Sequence, residues 1–142
     1  VVSDVAGRAA VTAREVRTGK PVWHQPLEAP PAGRPVVLGR RVYVPLADPA
    51  GTVAEIQTTT GRRVGSLSIR QRVGSARGGV GLAGWPGEKP GTFRLFVPAD
   101  ARRVFEFTVG AEADDGGPLP PALARVVATD HPRDALTGDP LL

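Results

Sequence analysis

The chain has 142 residues, of which 41% are hydrophobic, a formal net charge of +4 and no cysteine. That length suffices for one domain with a real core, the missing cysteine excludes disulfides, thiolate metal sites and a cysteine nucleophile, and no stretch approaches the length of a membrane span. Its 18 glycines and 15 prolines, spread without a strict period, point to many short strands and tight turns rather than helices.

Residues 1–16 read as a strand, a turn at Asp4 to Arg8 and a second strand through Ala9 to Val16. The chain starts in mid-pattern without a Met or a charged leader, so it is expected to be an internal piece of a longer protein. In A-R-E-V-R-T-G-K-P-V-W, Ala13 to Trp23, the Thr18-Gly19-Lys20 step is a tight reversal, with Gly19 free to take positive φ. Pro21 to Gln25 is the returning strand, and Trp23 lands on it. A proline-rich connector, Pro26 to Pro35, leads to Val36-Val37-Leu38, a Gly39-Arg40 turn and Val42-Tyr43-Val44, a two-residue hairpin signal.

Asp48 to Gly51 turns the chain into a strand over Thr52 to Thr58, and Thr60-Gly61-Arg62 then repeats the earlier Thr-Gly-Lys turn 42 residues later. In L-S-I-R-Q-R-V, Leu67, Ile69 and Val73 share one face, the period-two signature of a half-buried strand. Val80 to Ala83 opens the next unit, followed by a loop from Gly84 to Thr92 that carries Trp85. The indole either anchors a partner or packs over its own loop. R-L-F-V-P-A-D, Arg94 to Asp100, repeats R-V-Y-V-P-L-A-D from Arg41, and Phe105, Phe107 and Val109 line one face of the strand that follows. An acidic, flexible insertion from Gly110 to Pro121 replaces the third Thr-Gly turn, before a strand over Leu123 to Thr129 and a polar tail.

Charge is unevenly spread: residues 1–110 hold 16 basic and 8 acidic side chains, residues 111–142 hold 2 and 6. A nucleic-acid surface would cluster the cations with aromatics between them, but the pairs Arg40-Arg41, Arg62-Arg63 and Arg102-Arg103 fall at predicted turns and read as solvated, so no nucleic-acid partner is expected. The G-x-G-x-x-G spelled by Gly79 to Gly84 runs into Trp85-Pro86-Gly87, which forbids the helix a dinucleotide site requires. His24 and His131 have no ligand spacing, and His24 reads as an exposed edge residue. Asp114-Asp115-Gly116 lacks the alternating acids and closing Glu of a calcium loop, and no G-x-S-x-G elbow occurs.

Ala13 to Trp23 resembles the tryptophan-docking repeat of PQQ-like β-propellers, A-x-D-x-x-T-G-K-x-x-W, with Glu15 in place of Asp. A second, degenerate copy keeps Thr60-Gly61-Arg62 but has Gln57 for the acid and Gly65 for the Trp. That family includes quinoprotein dehydrogenases, the lipoprotein of the outer-membrane barrel-assembly machine and many bacterial propellers, and the strand units also resemble those of large planctomycete-type proteins. The resemblance implies an all-β fold, a partial β-propeller of four-stranded antiparallel blades. Its units would be the end of a first blade with the docking motif (1–25), a second blade (26–73), a third with loop insertions (74–129) and a polar tail (130–142), with further blades elsewhere in the chain. Ala13, Glu15, Thr18, Gly19, Lys20 and Trp23 would be structural docking residues, the indole filling the gap between splayed blades. No quinone, calcium or catalytic base can be placed on these residues. The expected role is a non-catalytic scaffold for protein partners, without a cofactor or metal of its own. The second reading is a fragment of a PQQ-dependent dehydrogenase whose active site lies outside this segment.

Overall fold

A computed structural model describes residues 2–5, 8–69, 81–98, 103–110 and 122–128. The chain is all-β, with three antiparallel meanders and no helical element among the described residues. The first sheet contains β1 (Val2–Val5), β2 (Arg8–Arg14) and β3 (Pro21–Pro26). The second contains β4 (Val36–Leu38), β5 (Arg41–Pro45), β6 (Thr52–Gln57) and β7 (Arg63–Ser68). The third contains β8 (Ala83–Pro86), β9 (Phe93–Pro98), β10 (Arg103–Val109) and β11 (Ala122–Ala128). In each sheet the strands lie side by side in chain order, which short turns make possible.

The sheets stack on one another, and the second is covered on both sides. Val42, Val44, Ala54 and Ile56 pack with Val11 and Trp23 of the first sheet and with Leu27, which directly follows β3. Their neighbours Tyr43 and Val53, with Leu67 and Leu38, pack with Leu95, Val97, Phe105, Phe107 and Val109 of the third. Alternate residues along β5 and β6 therefore serve two different cores, and all five residues of β5 are buried. The three sheets do not close on themselves. A parallel bridge from Arg34 to Gly81 ties the approach to β4 to the approach to β8.

A register shift occurs at one equivalent rung in every sheet: after Ala13 (opposite Trp23), after Glu55 (opposite Gly65) and at Glu106/Phe107. Such bulges bend and twist a strand where it leaves its partner. Their recurrence just before the β2–β3, β6–β7 and β10–β11 connections gives the three sheets a common build.

Several expectations change. The β8–β9 connection spans residues 87–92 rather than 84–92, because Ala83 to Pro86 pair with Phe96 to Phe93. Trp85 thus stands on a strand, not in a loop: the flanking Gly84, Pro86 and Gly87 that suggest a loop are accommodated at a sheet edge. Val73, Val80, Arg102, Asp114, Asp115 and His131 lie outside the described residues. No helix among the described residues is long and apolar enough to cross a membrane.

Candidate functional site

The docking residues gather around two turns built alike. In the first, Gly19 N–H donates to the Glu15 carbonyl (2.8 Å) and Glu15 N–H to the Lys20 carbonyl (2.9 Å). Thr18 Oγ1 donates to Glu15 Oε2 (2.5 Å) and accepts from Lys20 N–H (3.3 Å). In the second, Gly61 N–H donates to Gln57 and Gln57 N–H to the Arg62 carbonyl, both at 2.9 Å. Thr60 Oγ1 donates to Gln57 Oε1 (2.9 Å) and accepts from Arg62 N–H (3.2 Å). An amide oxygen accepts the threonine hydroxyl as well as a carboxylate does, so Gln57 for Glu15 preserves the turn. Gly19 and Gly61 have φ of 70° and 71°, the left-handed region that favours glycine.

These turns are connected across sheets by Trp23. Its Nε1–H donates to the Thr58 carbonyl at 2.7 Å, and its ring lies where a Cβ on Gly61 would fall. Gly61 is therefore required twice, for its φ and for the indole seat. Ala13, opposite Trp23 on β2, leaves the ring room on its own sheet. Lys20 and Glu15 are exposed and serve only their own turn. His24 is exposed on edge strand β3, its Nδ1 hydrogen-bonded to Thr12 Oγ1 at 2.9 Å.

The solvated reading of Arg41 is overturned. Only 7% exposed, it places Nε 3.3 Å from Glu55 Oε1, which also accepts from Tyr43 Oη at 3.3 Å. β5 and β6 put all three groups on the face toward the third sheet, with Tyr43 directly opposite Glu55. Burial pushes the Glu55 carboxyl above its usual range, with the Arg41 charge and the Tyr43 and Arg41 hydrogen bonds pulling it back. Burial, then the Glu55 charge, pushes the Tyr43 phenol upward. Gly65 leaves the carboxylate its space, since a Cβ there would sit 2.9 Å from Glu55 Oε2. The glycine that looks like a missing Trp in the sequence thus has its own reason. Arg63, also expected in solvent, is half-buried and pairs with Glu28, and that bond holds the Glu28 carboxyl below the usual carboxylate range.

The same cluster returns in the third sheet, at the positions the R-V-Y-V-P and R-L-F-V-P repeat predicts. Arg94 Nε lies 2.5 Å from Glu106 Oε1, and the Arg94 guanidinium stands 5.3 Å from the centre of the Phe96 ring. Leu38, Arg41, Tyr43 and Glu55 in the second sheet thus correspond to Trp85, Arg94, Phe96 and Glu106 in the third, because Leu38 pairs with Arg41 as Trp85 pairs with Arg94. The first set is covered by the third sheet, whose Gly84 backbone lies against Leu38. The second set is covered only in part: Glu106 is buried, but Trp85 is 65% exposed and the Arg94 side chain 34%, against 8% for Arg41. An indole packed over its own loop is therefore not what the structure contains.

No group of three or more His, Asp or Glu among the described residues could hold a metal ion. No family model matches the chain, and no curated protein matches it.

Proposed function

We propose that this chain is a segment of a PQQ-like β-propeller that works as a non-catalytic platform, meeting its protein partner through the outer face of the third sheet around Trp85. The observation that carries this reading is the correspondence of that face with the buried face of the second sheet. An Arg–Glu pair, an aromatic on the middle strand (Phe96 where the second sheet has Tyr43) and a larger apolar residue on the first strand recur, with Trp85 and Arg94 left open to solvent. A large exposed indole on a strand rimmed by a charged pair has the make-up of an interface anchor. Its cover would be an antiparallel sheet with an apolar row and a glycine beneath the indole, as Gly84 lies beneath Leu38, whether a further blade of the same protein or another chain. The propeller assignment is supported by the double burial of β5 and β6 and by the Trp23 seat on the next sheet. Fold likeness alone would leave function open.

A photo-crosslinking residue at position 85, compared with one at the fully exposed Val16, tests the contact face in the source cells. Crosslinks are expected from position 85 and not from 16, and equal yields would refute the assignment. The dehydrogenase reading makes the opposite demand on the same protein: addition of PQQ and Ca²⁺ would quench tryptophan fluorescence. The platform reading expects no change.

A further inference from the structure

We draw no further inference here: the strongest candidate, the cleft on the outer face of the third sheet lined by Lys89, Thr92, Arg94, Glu106 and Thr108, belongs to the Trp85 contact face already described, and nothing in the structure shows what covers it.

Discussion

Replacing Gly61 by Ala isolates the contact between the first and second sheets, because Gly19 supplies a control of the same backbone shape. Both have φ near +70°, so an added Cβ meets the same local penalty of about 1–2 kcal/mol in either turn. Around Gly19 nothing lies within 4 Å of that Cβ, whereas at Gly61 it would fall among Cδ2, Cε3 and Cγ of Trp23. Gly61→Ala must therefore also unseat the indole and the Nε1–H bond to Thr58. Truncating a buried aromatic costs about 3–5 kcal/mol. Trp23 is half-buried, so about 2–3 kcal/mol is the share of its seat, and the total for Gly61→Ala is about 3–5 kcal/mol against about 1–2 for Gly19→Ala. In a Trp23→Ala background the Gly61 penalty should fall back to that of Gly19. Urea unfolding followed by circular dichroism measures all the free energies, and the double-mutant cycle gives the coupling. Equal costs for Gly19→Ala and Gly61→Ala, or a Gly61 penalty unchanged by removal of the indole, would refute the reasoning.

Gly65→Ala should cost about 1–3 kcal/mol by pressing on the Glu55 carboxylate, while Gly81→Ala, with nothing within 4 Å, should stay within about 0.5 kcal/mol of wild type. Thermal unfolding of the two compares them directly. Gly84→Ala drives a methyl into Leu38 and should loosen the second sheet from the third, with the loss partly recovered in a Leu38→Val background; no recovery would place the strain elsewhere. The two shifted carboxyls act in opposite directions on pH. Glu28, held low by Arg63, contributes stability above its unfolded pKa that is lost as pH falls, at most about 1 kcal/mol for so exposed a pair. Glu55, raised by burial, contributes stability below its unfolded pKa that is lost as pH rises through the folded value. The stability of wild type relative to Glu28→Gln should therefore grow with rising pH, and that relative to Glu55→Gln should shrink. Unfolding free energies at pH 4 to 7 check both signs.

Strand positions and faces are legible in the sequence because period two is a local property: Phe105, Phe107 and Val109 read as a core face and are one. The Thr-Gly turns are legible for the same reason, every bond in them lying within five residues. Arg41 and Trp85 are misread because their surroundings are set by another sheet. An arginine after a Gly-Arg turn looks solvated until the third sheet is laid over it, and a Trp between Gly and Pro looks like a loop until β9 pairs with it. A signal for the first exists: the repeat of Arg41, Tyr43 and Pro45 as Arg94, Phe96 and Pro98, each followed by a glutamate on the next strand, marks a cross-strand pair. Register is what converts that repetition into a contact.

The rung beside the register shift in the first two sheets has a consequence for how such a chain changes over generations. In the first sheet it holds Ala13 and Trp23, in the second Glu55 and Gly65: in both, a bulky group faces a position with little or no side chain, whereas the third sheet sets Glu106 opposite Arg125. Passing from one arrangement to the other by single substitutions means crossing either an overfilled rung or a hollow one. The unit of inheritance at these junctions is thus the couple of positions, and exchange between repeats should succeed only when both members travel together.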